Sequence, residues 1–219
     1  MIPFEPFDKI RGAFLGAGYG DLSGEFFEVK QVHGDGVVVL REARDVSENR
    51  GKEADAVICA RWAVPIAVRT ADCVPVFIAH PKRVIAVVHA GWRGTVAGIL
   101  EKTLLRMRES FDLDLSEAAL AVGPAIGPEC YEVGEDVAAA FRGRGDSVFL
   151  KELGQGKFAL DLKAANAAQA RRLGVAVENI ELRPECTRCE AELFHSHRAA
   201  LARGEAKAGR NYSWLMISP

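Results

Sequence analysis

A chain of 219 residues, 49% apolar and 26% charged, can bury a sizeable core in one large domain or a two-lobed one, and this balance excludes a disordered, collagen-like or coiled-coil protein. Its 28 Lys and Arg stand against 30 Asp and Glu, a net charge of -2, so no broad basic field exists to hold a nucleic-acid backbone. No apolar run reaches the roughly 18 to 20 residues needed to cross a bilayer. The Phe-rich start, with Glu5 and Asp8, is unlike a secretory leader. The chain therefore reads as cytoplasmic and not membrane-bound, with its five cysteines kept as thiols, ligands or nucleophiles.

In chain order, Gly16-Ala17-Gly18-Tyr19-Gly20 lacks both the spacing of a dinucleotide fingerprint and a clear preceding strand, and reads as a loop. Apolar, β-branched clusters of strand length follow at 37–40, 56–58, 66–68, 74–78 and 84–88. Several are apolar throughout, the pattern of strands buried on both faces. Pro75 predicts a strand start or an edge, where its missing N–H breaks no ladder bond. Cys59 reads as core.

After Gly94 the period changes. Val96, Ile99, Leu100, Leu104 and Met107 fall at helical spacing and predict one helix. A shorter helix begins near Gly134 and runs through Val137 and Phe141. Another covers 162–171, capped by the Asp161 carboxylate and closed by Gly174. Strands and helices mix without strict alternation, which predicts an α+β (mixed α/β) fold with mixed β-sheets flanked by helices.

Most familiar catalytic motifs are missing: there is no G-x-x-x-x-G-K-[ST], no G-x-S-x-G and no H-E-x-x-H. Pro184-Glu185-Cys186-Thr187-Arg188-Cys189 approaches the P-C-x-x-C half of a cytidine-type deaminase, but its proline is displaced by one and no H-x-E occurs. Lacking a second pair, Cys186 and Cys189 read as two unconnected thiols in preference to a structural zinc. Cys130, in a Gly/Pro loop, stays open between packing and chemistry. His80, His195 and His197 carry no distinguishing spacing.

What remains lies beside strand ends: His33 in Gln31-Val32-His33-Gly34, Cys73 in Arg69-Thr70-Ala71-Asp72-Cys73, and His89 in His89-Ala90-Gly91-Trp92-Arg93-Gly94. Two imidazoles and a thiolate suit Zn²⁺, and three protein ligands leave a fourth tetrahedral position open, as at catalytic sites. The plainer alternative is two hydrogen-bonded structural histidines and a buried thiol. The loop after His89 joins a strand end to a helix start, where free N–H groups, the helix dipole and Arg93 favour an anion such as phosphate. Equally, Gly91 and Gly94 serve a plain turn while Arg93 pairs with a surface carboxylate.

At these residues the chain resembles the laccase-domain family of purine nucleoside phosphorylases, YfiH-like proteins also called polyphenol oxidases or multicopper-oxidase-like. The resemblance is carried by Gln31-Val32-His33-Gly34, Ala54-Asp55-Ala56, Thr70-Ala71-Asp72-Cys73, His89-Ala90-Gly91-Trp92-Arg93-Gly94, Gly123-Pro124-Ala125-Ile126-Gly127, Tyr131-Glu132-Val133-Gly134, Cys186-Thr187 and Phe194-His195-Ser196-His197-Arg198. It implies a single domain over residues 1–219, a Zn²⁺ site of His33, Cys73 and His89, and phosphorolysis of small-molecule substrates. Those substrates would be adenosine, inosine, guanosine or methylthioadenosine together with phosphate, with adenosine deamination as a further activity.

Under that resemblance Cys73, His89, Arg93 and Asp72 form the catalytic group. Arg93 is the first candidate for phosphate, with Arg69 and Arg198 behind it, and Asp72 is expected to orient a metal ligand. The rival mechanism is a cysteine hydrolase or amidase acting on peptidoglycan precursors, with Cys73 as nucleophile and His89 or His33 as base. Five histidines are too few for a true multicopper oxidase. The chain also reaches its Gln-Val-His motif earlier than resembling proteins do.

Overall fold

The computed structural model describes residues 1–22 and 24–219. Two strands, β1 (Ile2–Phe4) and β2 (Ile10–Leu15), open the chain. β3 (Val37–Leu40), α1 (Ala43–Asn49) and β4 (Ala56–Cys59) follow, then β5 (Ile66–Thr70), β6 (Val74–His80) and β7 (Val84–Ala90). α2 (Trp92–Ala97) and α3 (Ile99–Phe111) lead to β8 (Ala119–Val122), β9 (Glu132–Gly134) and α4 (Glu135–Gly143). A hairpin of β10 (Leu150–Gly154) and β11 (Lys157–Leu160) precedes α5 (Leu162–Arg172) and β12 (Ile180–Leu182). α6 (His197–Ala202) and β13 (Asn211–Ile217) complete the chain.

Six strands form the central sheet in the order β12-β8-β6-β7-β4-β3. Its outer pairs, β12 with β8 and β3 with β4, are parallel and the rest antiparallel, so the sheet is mixed as expected. A second sheet, β1-β2-β13-β5, is antiparallel, and a small one pairs β10, β11 and β9.

The all-apolar runs have a direct cause. Successive side chains of a strand point to opposite faces, and the central sheet is covered on both. Val76, Ile78, Ala86 and Val88 pack towards Leu100, Leu104 and Met107 of α3 and Ala165 of α5. Phe77, Ile85 and Val87 pack towards Phe14, Ile66, Val68 and Leu215 of the four-stranded sheet. Phe77 stacks on Phe14 with ring centroids 4.1 Å apart. Each of the larger of these buried side chains (Val, Leu, Ile, Met or Phe) contributes about 1.5–3 kcal/mol of transfer free energy. The same alternation sets His89 on the face of Ile85 and Val87, towards the four-stranded sheet.

Several expectations need correction. The helix after Gly94 is two helices, because Gly98 adopts φ +79 and turns the chain between α2 and α3; apolar spacing cannot register a break of one residue. The glycine cluster at 16–20 does follow a strand, β2, whose apolar run is interrupted by Arg11 and Gly12, and it contains a short 3-10 turn. Pro75 stands second in β6, at a strand start, but that strand is central and not an edge. The Asp161 cap is present: its carboxylate accepts from the Ala164 N–H at 2.9 Å, and Gly174 follows α5 with φ +95. No helix among the described residues is long and apolar enough to cross a membrane.

Candidate metal centre

The site is organised by Asp55, to which the sequence reading gave no role of its own. It lies one residue before β4 and is fully buried. Its carboxylate accepts backbone N–H bonds from Val32 (3.2 Å), His33 (3.0 Å) and Gly34 (2.7 Å) and a fourth bond from His89 Nδ1 (2.7 Å). Burial alone would raise its pKa; the bonds from His89, Gly34 and Val32 outweigh that and hold it below the usual carboxylate range. The three N–H bonds also fix the turn in which His33 sits at φ +60, a conformation costly for a residue with a Cβ. The available signal was an aspartate embedded in Ala54-Asp55-Ala56-Val57-Ile58, where a buried charge demands partners.

One side chain thus positions two others from distant parts of the chain. His89, 3% exposed at the end of β7, gives Nδ1 to Asp55, leaving Nε2 for the cluster. His33 and His89 meet edge to face with ring centroids 4.7 Å apart. Cys73 follows β5 in a turn where Asp72 has φ +85. The ligand atoms of His33, Cys73 and His89 all lie within 4.8 Å of one another. Gly91 is required beside them, since a Cβ there would stand 3.0 Å from Cys73 Sγ and 3.2 Å from His33 Cδ2.

The electrostatics follow from that geometry. Burial pushes the Cys73 thiol up, but its bonds to His33 and His89 prevail and bring its pKa down to about 6. Burial pushes His89 down, while Asp55 and Cys73 together raise it to about 9. A thiolate, a second imidazole and a histidine backed by a carboxylate form a donor set suited to Zn²⁺, and the His89–Asp55 pair is the usual support of a metal-bound imidazole.

Asp72 does not take that supporting role. Its carboxylate accepts from Thr187 Oγ1 at 2.7 Å and from the Arg198 backbone N–H at 2.7 Å. The turn at φ +85 directs it to those partners, and Asp55 orients the imidazole instead.

Two openings flank the cluster. One, a cavity of about 310 Å³, is lined beyond the cluster by Trp92, Arg93, Tyr131, His197 and Arg198. The other, about 570 Å³, includes Lys30, Gln31, Arg69 and Arg210. Arg93 stacks on the Trp92 ring at 4.4 Å and forms no ion pair among the described residues. Arg93 stands in the first turn of α2, which is only six residues long, so the anion-favouring charge comes mainly from the guanidinium. Arg198 lies over the Tyr131 ring at 5.2 Å and donates to the Glu132 carbonyl. Arg69 is engaged with Glu28 at 3.0 Å. Sequence reading assigned Tyr131 and His197 no role at the site.

A second constellation corrects another expectation. Cys186 and Cys189 are not unconnected thiols: they meet Cys130 and Glu129, their ligand atoms all within 4.8 Å of one another.

Residues 17–218 match the family described as multi-copper polyphenol oxidoreductase laccase. The chain is 38% identical over 167 residues to a Bacteroides thetaiotaomicron protein named purine nucleoside phosphorylase, covering 74% of this chain and 60% of that protein. It is 35% identical over 179 residues to adenosine deaminase RL5 of an unknown prokaryotic organism, covering 77% of this chain and 68% of that protein. The crystal structure of the Bacillus licheniformis hypothetical protein YfiH superposes with a TM-score of 0.81 at 28% identity, over 91% of this chain and 76% of that one. The chain spans about three fifths of the length of the Bacteroides relative. Matched by that family over residues 17–218, nearly its whole length, the chain belongs to this laccase-domain family.

Proposed function

We propose that residues 1–219 act as one domain that cleaves purine nucleosides with phosphate at a Zn²⁺ centre held by His33, Cys73 and His89. The observation that carries this reading is the three-ligand cluster opening onto the arginine-lined cavity of about 310 Å³. In phosphorolysis a phosphate oxygen bonds to C1′ as the C1′–N9 bond breaks, and the purine leaves with the electron pair and takes a proton. Arg93 and Arg198 meet the phosphate's charge, and the flat faces of Trp92 and Tyr131 suit the base. A Zn²⁺ bound there supplies a Lewis acid for an electron-rich substrate atom. Likeness to proteins named purine nucleoside phosphorylase and adenosine deaminase supports this substrate class, with adenosine deamination as a second activity of the centre.

The test is a nucleoside panel followed by mass spectrometry with and without phosphate. Free base and ribose 1-phosphate should form only with phosphate; base release that ignores phosphate overturns the reading, and inosine formed from adenosine identifies deamination. Arg93→Ala should raise the phosphate KM about 10- to 100-fold, the equivalent of one charge-assisted hydrogen bond, while metal content stays unchanged. An unaltered KM removes Arg93 from phosphate binding.

The hydrolase reading, with Cys73 as nucleophile, draws on a specific observation. Asp55 accepts from His89 Nδ1, and His89 in turn stands beside Cys73, their ligand atoms within 4.8 Å, the order of a thiol triad. Metal separates the two readings. In metal-free protein, alkylation of Cys73 by iodoacetamide should be half-maximal near its pKa of about 6, whereas Cys59, buried and pushed up to about 11, stays unreactive. Peptide mapping across pH measures both. Zn²⁺ should abolish Cys73 labelling; equal labelling with and without Zn²⁺ favours the hydrolase.

A further inference from the structure

Cys130 lies 59 residues before Cys189 in sequence, and the fold brings their sulfurs to 3.3 Å. The contact results from a crossing of two segments. Ala125 pairs with Cys186 in an isolated bridge, and the Thr187 N–H donates to the Ala125 carbonyl at 3.1 Å. The Gly127 N–H points at Cys186 Sγ, 3.2 Å away. The Lys163 ammonium, on α5, donates to the carbonyls of Arg183, Pro184 and Glu185 and anchors the chain just before Cys186.

Three thiols and one carboxylate therefore share a small volume, with Glu129 Oε1 3.9 Å from Cys189 Sγ. The nearby Arg188 guanidinium donates to the Cys130 carbonyl, not to the sulfurs. In a tetrahedral Zn²⁺ site with bonds of about 2.3 Å, ligand sulfurs stand about 3.8 Å apart. The 3.3 Å spacing of Cys130 and Cys189 is close to that edge and well beyond the roughly 2.05 Å of a disulfide.

We propose that Glu129, Cys130, Cys186 and Cys189 form a second metal site, a closed four-ligand one for a thiolate-preferring divalent ion of the Zn²⁺ type. Its role is to staple the loop before Tyr131 to the segment starting at Cys186. Both segments reach the first centre: Tyr131 lines the 310 Å³ cavity, and Thr187, next to Cys186, holds Asp72 beside Cys73. Closed coordination and a position off that cavity make the ion structural. The inference does not depend on the activity proposed above.

The full chain, isolated without added metal, provides the test by elemental analysis against protein concentration. The wild type should carry two equivalents of metal, Cys73→Ser one, Cys130→Ser/Cys189→Ser one, and the triple variant none. Because Cys189 is exposed and Cys130 half-buried, serine at both sites leaves the core packing intact, which circular dichroism verifies. A second measurement isolates the site without touching its ligands: Cys73→Ser protein reloaded with Co²⁺ should show thiolate-to-metal charge-transfer absorption, and a chelator should lower its melting midpoint by about 5 °C or more. The proposal is overturned by a single equivalent in the wild type that disappears in Cys73→Ser. It is equally overturned by a Cys130–Cys189 disulfide in the isolated protein, or by Cys73→Ser protein that neither binds Co²⁺ through sulfur nor responds to chelator.

Discussion

Cys73→Ser should lose one equivalent of metal and cut phosphorolysis about 10³-fold, the effect of withdrawing several kcal/mol of Lewis-acid stabilisation. The physical reason lies in the ligand set. Cys73 is the one member that brings negative charge, and with its pKa brought down to about 6 it would meet a divalent ion as an anion at neutral pH. Serine keeps the size and the neighbours His33 and His89 but stays a neutral hydroxyl. Activity assays beside metal analysis give the answer. Full turnover in metal-depleted Cys73→Ser protein would refute both the metal-centred and the thiol-nucleophile mechanisms, leaving the cluster a structural role.

Asp55→Ala should destabilise the fold by about 3–5 kcal/mol, because it strips a buried carboxylate from four donors at once and leaves the raised His89 without its counter-charge. Urea unfolding with an unchanged slope measures this. The milder Asp55→Asn preserves the volume but turns an amide towards N–H donors, and should lower metal affinity about 10- to 100-fold. The dependence on pH has a definite sign. Since the folded-state pKa of Asp55 lies below its ordinary value of 3.8, its stabilisation is present above that pH and is lost as acid protonates it. Wild type and Asp55→Asn should therefore converge in stability at low pH. Parallel acid-unfolding curves, or a wild-type midpoint for Asp55→Ala, would show that the carboxylate does not organise the site.

The legible part of the fold is its central sheet. β4, β6 and β7 are apolar on both faces because both faces are covered, and a run of that kind stands out without any partner being known. β2 escaped notice because Arg11 and Gly12 break its apolar run. At the site, the strand-end positions of His33, Cys73 and His89 were visible, but strand pairing brings them together, and spacing does not encode pairing. Residue chemistry suggested the grouping, and the resemblance to known sequences strengthened it. Asp72 was misread because proximity in sequence to Cys73 was taken for proximity of function; a left-handed backbone turns its carboxylate towards Thr187 and Arg198. Asp55 and the Cys130–Cys186–Cys189 group share one cause of omission: each acts across a loop closure that only the folded chain reveals.

The turn carrying Val32, His33 and Gly34 is an outlying loop, with Val32 43% exposed, yet its three consecutive amides end on one interior acid. Such hydrogens leave only when that single anchor lets go, so they form one opening unit tied to the stability of β4 and not to the solvent around them. A surface peptide of this chain thus has the kinetics of its interior, and a mutation deep under the sheet would be felt first at its rim.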